Sequence, residues 1–180
     1  MFELALHILD LVQNSVTAKA SLVIVEVRYE GEWLAISIID DGCGMSEEML
    51  ARAQSPFGTS RTTRRVGLGI PMFKQLSLMC EGEFSINSAP GEGTTLVATF
   101  RAANVDLPPM GDLSGTIKAL IVGAPEKPDF VLRYERDGEQ FEFDTRQIRE
   151  QLDGVPLNEP DVLAWIGEYI DEGIKQIDAV

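Results

Sequence analysis

Two strand-patterned runs, residues 22–29 and 33–40, lie back to back near the amino terminus with only Glu30-Gly31-Glu32 between them. Both are rich in β-branched and apolar residues, and a glycine-centred link this short predicts a hairpin. Directly before them, residues 2–19 carry Leu4, Ala5, Ile8, Leu9, Val12 and Val16 at helical period. A second polar stripe, Glu3, His7, Asp10, Asn14 and Thr17, runs along the same segment, and steps of three and four place such residues on one side of a helix. A helix followed at once by a hairpin constrains the chain to a sheet with helices packed on it.

The rest of the chain continues this alternation. Ser46 with Glu47 and Glu48 predicts the capped start of a short helix. A segment without period, residues 54–69, mixes Pro, Gly, Ser, Thr and Arg, and a loop of that length is uncommon unless it is functional, typically a lid, or disordered. Pro71 stands near the start of a helix running to about Met79. Strands over residues 83–88 and 94–101 flank Pro90-Gly91-Glu92-Gly93. After a linker with Pro108 and Pro109, Asp112 caps a helix whose apolar face is Leu113, Ile117, Leu120 and Ile121. Residues 129–136 and 139–144 flank Asp137-Gly138, a two-residue hairpin signal. Helices over 145–152 and 161–177 close the chain. The expected fold is α/β: a two-layer sandwich with helices on one face of a mixed sheet over residues 1–102, followed by an α+β extension over 103–180.

Composition narrows the function classes. The 180 residues hold 29 acidic against 15 basic side chains, a formal charge of −14. A nucleic-acid surface needs a basic field, so nucleic acid is not an expected partner. No apolar run approaches the roughly 20 residues of a membrane helix, and the first residues lack the positive segment of a signal peptide. Cys43 and Cys80 form no metal-ligand spacing and read as reduced thiols, so a soluble cytoplasmic protein is expected. Against the acidic background, Arg61, Arg64 and Arg65 cluster in the long loop, as a solvated loop or as a site for a small anionic ligand.

Three features carry chemistry. Asp10 and Asn14 are four residues apart on the polar helix stripe; a carboxylate can act as general base, and an amide oxygen can ligate Mg²⁺. Asp40 ends a strand ahead of Gly42, Gly44 and Met45, where a carboxylate can accept from an exocyclic amine and glycines let a flat ring lie against backbone. Thr59, Ser60, Arg61, Arg64 and Arg65 run into Gly67, Leu68 and Gly69 before a helix, where backbone N–H groups and guanidinium groups suit phosphate.

In this order the motifs resemble the GHKL ATPases, the gyrase, heat-shock chaperone, histidine kinase and MutL types with the Bergerat fold. Leu9-Asp10-Leu11-Val12-Gln13-Asn14-Ser15 is similar to the N box, and Asp40-Asp41-Gly42-Cys43-Gly44-Met45 to the DxGxG box. Pro56-Phe57-Gly58-Thr59-Ser60 and Gly67-Leu68-Gly69-Ile70 resemble the F box and the second glycine box. Gly91-Glu92-Gly93-Thr94-Thr95 resembles the last Gly-x-Gly-Thr element. The resemblance implies ATP and Mg²⁺ as ligands. It gives Asp10 the role of base, Asn14 that of metal ligand and Asp40 that of adenine reader, with Thr94 near the adenine end. Family hydrolases usually carry Glu at the position of Asp10 and histidine kinases Asn. No helical hairpin with a phosphoacceptor His precedes the domain, so a complete two-component sensor is not expected; a domain of this kind also resembles the anti-sigma serine kinases. The resemblance implies an ATPase or protein kinase acting on a protein partner, with a non-catalytic ATP switch or adaptor as the alternative.

His7 reads as a helix-face residue that tunes Asp10 or packs, and Cys43 as filling a small space in its turn. Residues 103–180 hold seven of the fifteen basic and seventeen of the twenty-nine acidic side chains. Their hairpin and helices would extend the sheet, form a small lobe or make a homodimer interface. The stripe Trp165, Ile166, Tyr169 and Ile170 is expected to be core.

Overall fold

The structure is a computed structural model that describes residues 3–56 and 68–179. Helix α1, Leu4–Thr17, has no side chain capping its start. Its first free N–H groups are met instead by the linker: Leu4 N donates to Pro109 O and Ala5 N to Met110 O, at 2.9 and 2.8 Å. The two halves of the chain are therefore stitched together at the first turn of the first helix.

Strands β1, Leu22–Glu30, and β2, Trp33–Asp40, form the expected antiparallel hairpin. Ser46 caps α2, Glu47–Gln54, by accepting from Met49 N. Helix α3, Gly69–Met79, leads into β3, Phe84–Ala89, and β4, Gly93–Arg101. Asp112 caps α4, Leu113–Gly123, accepting from Gly115 N. Strands β5, Asp129–Arg136, and β6, Glu139–Asp144, turn at Asp137-Gly138, where both residues have positive φ. Helices α5, Thr145–Leu152, and α6, Pro160–Asp178, follow.

All six strands join one mixed sheet in the order β3-β4-β2-β1-β5-β6. Only β1 and β5 run parallel, with Leu22 opposite Asp129 and Tyr29 opposite Arg136. Of the three arrangements open for residues 103–180, their hairpin takes the first: it extends the sheet. The period-2 alternation sends Val23, Val25, Val27, Leu34, Ile36, Ile38, Leu96, Ala98 and Phe100 to one face, where they are buried. Phe130, Leu132 and Tyr134 continue that face across β5. Helices α1, α3, α4 and α6 cover it. On the opposite face Arg133 bridges Glu26 and Glu142 across three strands, next to a small apolar group of Ile24, Ile39 and Val131.

Helix α1 departs from its sequence pattern. Its buried residues are Leu4, Ala5, His7, Ile8, Leu11, Val12 and Ser15, whereas Leu9 and Val16 are only partly covered. Because α3 and α4 both pack on α1 in addition to the sheet, the buried stripe is wider than one apolar face.

Candidate functional site

The site grows from the end of β2. Asp40 lies opposite Thr94 of β4, so the pairing brings the first residue of one motif beside the first hydroxyl of another. The Asp40 carboxylate is already held on two sides: Ser15 Oγ donates to Oδ2 at 2.6 Å, and Gly42 N to Oδ1 at 2.9 Å. Ser15 is buried on α1, one residue beyond Asn14, so the helix that presents the polar stripe also aims the strand-end carboxylate. A carboxylate has about four acceptor directions, which leaves room for a further donor.

The turn after Asp40 is pinned by backbone. Cys43 N donates to Ala18 O and Gly91 N to Cys43 O, at 3.0 and 2.7 Å. Gly44 (φ +70°) and Gly93 (φ +78°) sit in left-handed conformations, and a Cβ on either would lie 2.0 Å from a carbonyl oxygen, Ala89 O and Asp40 O respectively. The glycines are thus required for the two loops to touch. Cys43 does not fill a space in this turn, as its sequence context suggested. Its side chain is exposed, and only its backbone does the joining. Met45 N donates to Ser88 Oγ, which also donates to Gly93 O and pairs with Thr94 Oγ1, at 2.9 Å in each case. Ser88 is the hub that unites the second and last motifs. It was not singled out in the sequence because a lone Ser in a strand carries no spacing signal, and the same holds for Ser15.

Asp41 turns the other way, accepting from Ser21 Oγ, Ser21 N and Leu22 N. These donors, the Ser21 hydroxyl first, hold its carboxyl below the usual carboxylate range. Its role is to fasten the turn to the start of β1.

Asp10 lies on α1 against the start of α3, with Asn14 one turn further along α1. Gly69, the first residue of α3, is so close that a Cβ would stand 3.7 Å from Asp10 Cβ. The second glycine motif therefore abuts the first acidic one. Asn14 Oδ1 is buried, and among the described residues it has no hydrogen-bond partner. A buried amide oxygen left without a donor suits an oxygen-seeking cation such as Mg²⁺, which binds through one or two protein oxygens together with substrate phosphates. His7 lies one turn before Asp10, 6% exposed, with its ring 5.7 Å from that of Phe73. Burial pulls its pKa below the ordinary value, with Asp10 opposing in part. It packs in the core as a neutral imidazole.

The structure thus brings Asp10, Asn14, Asp40, Gly42, Gly44, Met45, Leu68, Gly69 and Thr94 to one end of the sheet. Phe57, Gly58, Thr59, Ser60, Arg61, Arg64, Arg65 and Gly67 lie outside the described residues.

The histidine kinase-, DNA gyrase B-, and HSP90-like ATPase family model matches residues 3–104. The chain is 36% identical over 110 residues to a non-motile and phage-resistance protein of Caulobacter vibrioides, covering 55% of this chain and 13% of that one. It is 30% identical over 142 residues to an uncharacterized sensor-like histidine kinase of Rhizobium meliloti, covering 74% and 25%. A DNA mismatch repair protein MutL of Pelotomaculum thermopropionicum is 49% identical over 52 residues, 29% of this chain and 8% of that protein. The chain thus spans a quarter or less of the length of these relatives. In fold it is similar to the Aquifex aeolicus MutL ATPase domain complexed with ADP, with a TM-score of 0.54 and 16% identity over 85% of this chain and 70% of that one. That coverage is more than residues 3–104 alone supply, so the likeness of fold reaches into the carboxyl-terminal part.

Proposed function

Because the chain belongs to the histidine kinase-, DNA gyrase B-, and HSP90-like ATPase family, we propose that it binds ATP with Mg²⁺ and either hydrolyses it or passes the γ-phosphoryl group to a protein partner. The observation that carries this reading is the joint use of α1: Ser15 orients Asp40, Asn14 beside it holds a buried amide oxygen with no donor among the described residues, and Asp10 lies against Gly69 at the start of α3. Asp40, with one carboxylate oxygen fixed by Gly42 N and the other by Ser15, takes the adenine amine. Gly42 and Gly44 leave the turn without side chains on the ring's side, and Thr94, held by Ser88, faces the same region. Asn14 Oδ1 would hold Mg²⁺, which would offset the charge of the phosphates. The free N–H groups at the start of α3, whose first turn contains no acid, suit the phosphates. Asp10, beside Gly69, accepts the proton of the attacking water or of a partner's hydroxyl or imidazole.

A second reading has its own observation. Asp10 stands where family hydrolases usually carry the longer Glu, and none of the described residues donates a hydrogen bond to its carboxylate. On that reading ATP is a switching ligand, and nucleotide state alone controls the partner. A time course with γ-phosphate-labelled ATP and protein in excess separates the two. Release of labelled phosphate by the wild type, lost in Asp10→Asn while ATP binding persists, supports the catalytic reading. Label that stays as bound ATP in both proteins points to the switch or to a kinase without its substrate, and adding candidate partner proteins then separates those two. Equal turnover in Asp10→Asn removes Asp10 from the role of base.

A further inference from the structure

The expected core stripe of α6 divides. Ile166 and Ile170 are fully buried, but Trp165 and Tyr169 are 45% and 41% exposed. They belong to a row of rings rather than being scattered apolar residues. Trp165 stacks on Tyr169 with planes at 15° and centroids 5.1 Å apart, and Tyr169 meets Phe141 of β6 at 5.3 Å. Phe141 in turn fills the notch at Gly173, where even a Cβ would come within 2.2 Å of the ring. The row is built from inside out: a glycine admits Phe141, Phe141 supports Tyr169, and Tyr169 carries Trp165 into solvent. Tyr169 also meets the buried Phe143 at 6.3 Å, so the row is rooted in the core while Trp165 forms its outer end.

The surroundings are anionic. Helical spacing sets Asp161 and Glu168 beside Trp165, and Glu172 beside Tyr169; all three are exposed, and none is in an ion pair among the described residues. Lys175 is the one cation on the helix, against Asp161, Glu168, Asp171, Glu172 and Asp178. Glu139, two residues before Phe141 and so on the same side of β6, is exposed on that adjoining strand, which is the end strand of the sheet. Flat π-faces ringed by unpaired carboxylates match a guanidinium or ammonium group, which gains from the ring quadrupole and the acid together.

We propose that the Trp165–Tyr169 stack is a docking site for an arginine- or lysine-bearing segment of a partner protein, seated on the rings and held by Asp161, Glu168 and Glu172. The charge asymmetry of the chain selects this occupant. A second copy of the same chain would bring a matching set of carboxylates against these, so self-association through this face is disfavoured. The site lies in residues 103–180, outside the family match, and does not depend on the reading of the nucleotide site.

The test uses the full chain and a fluorescently labelled, end-blocked peptide of alternating arginine and valine. An otherwise identical peptide with citrulline for arginine keeps the shape and removes the charge. Fluorescence anisotropy is expected to show saturable binding of the arginine peptide. Trp165→Ala should weaken it at least tenfold, and the pair Glu168→Gln and Glu172→Gln several-fold, with a shallower salt dependence. Glu150→Gln, which removes an exposed acid on α5, should leave it unchanged. Melting temperatures within a few degrees of wild type establish that the variants fold, and the glutamine pair keeps the test intact if Trp165→Ala does not. Equal binding by Trp165→Ala or the glutamine pair, equal binding of the citrulline peptide, or no binding to wild type overturns the proposal. Sedimentation showing a dimer that Trp165→Ala converts to monomer overturns it in favour of a self-interface.

Discussion

At the scale of single residues, the site depends on side chains that lie beneath its motifs. Ser15 is the clearest case. Its hydroxyl fixes one oxygen of Asp40 from inside α1, and the only sequence sign of it is a position next to Asn14. Replacing it by Ala should leave the fold intact and weaken ATP binding about tenfold, since a hydrogen bond to a charged group contributes about 1.5 kcal/mol or more. Calorimetric titration of ATP with Mg²⁺ checks this, and an unchanged affinity would remove Ser15 from the binding machinery. His7 makes a different prediction. Burial keeps its folded-state pKa below the ordinary 6.5, so the unfolded chain takes up a proton that the folded one refuses. Its contribution to stability is full above pH 6.5 and is lost as the pH falls toward the folded value. Denaturant melts between pH 7 and 5 should show falling stability, and His7→Gln should flatten that slope. A slope equally steep in the variant would assign the proton uptake to another group.

At the scale of elements, the strands and turns were legible and the burial of helices was not. Strands β5 and β6 and helix α5 follow the pattern read from residues 129–152, because Asp137-Gly138 fixes the hairpin and Asp144 the helix start. Asp10, Asn14, Asp40, the glycines and Thr94 were legible as a set because each sits at a fixed offset in its motif. Helix α1 shows where tertiary neighbours decide: His7 packs, one of the two roles read for it, and Ser15 is polar in sequence yet buried, since α3 and α4 cover flanks that an isolated amphipathic helix would leave wet. The α6 stripe divides in the opposite sense: Ile166 and Ile170 are buried, while Trp165 and Tyr169 are left exposed. Helix α5 is held by a cluster that hydropathy could not reveal. Asp129, nearly buried, accepts from Thr145 Oγ1 at 2.9 Å and from Arg149 Nε at 2.8 Å, while Arg149 also donates to Pro125 O. Burial works against this carboxylate, but Arg149, Thr145 and Lys127 together keep its pKa below the usual range. Arg149→Ala should cost about 1–3 kcal/mol in urea denaturation, the lower end reflecting the solvent still reaching Arg149. It should also reduce the loss of stability on acidification below about pH 4, where Asp129 is protonated in the unfolded chain first. A cost below a few tenths of a kcal/mol would show that Lys127 and Thr145 suffice.

At the scale of the whole molecule, the family match ends near residue 104, but the sheet does not. Arg133 reaches Glu26 across 107 residues of sequence, and Gly31 N donates to Asp137 at 3.1 Å. A chain ending after residue 104 would keep the motifs while stripping β5 from β1 and α4 from α1, leaving Val23, Val25, Val27 and Ile8 without part of their cover. Such a chain is expected to lose its cooperative thermal transition and to scatter light at temperatures where the full chain is clear. A melt within a few degrees of the full chain would show instead that the first 104 residues are a self-sufficient unit.

The parallel pairing of β1 with β5 also sets an order of events during synthesis. At roughly 5–20 residues per second, the hairpin of β1 and β2 leaves the ribosome several seconds or more before the strand that completes it. Throughout that interval the outer edge of β1 offers its backbone to any strand that passes. In the finished chain, closure of that edge depends on a loop of about a hundred residues rather than on a local turn, so this step should govern the rate of refolding.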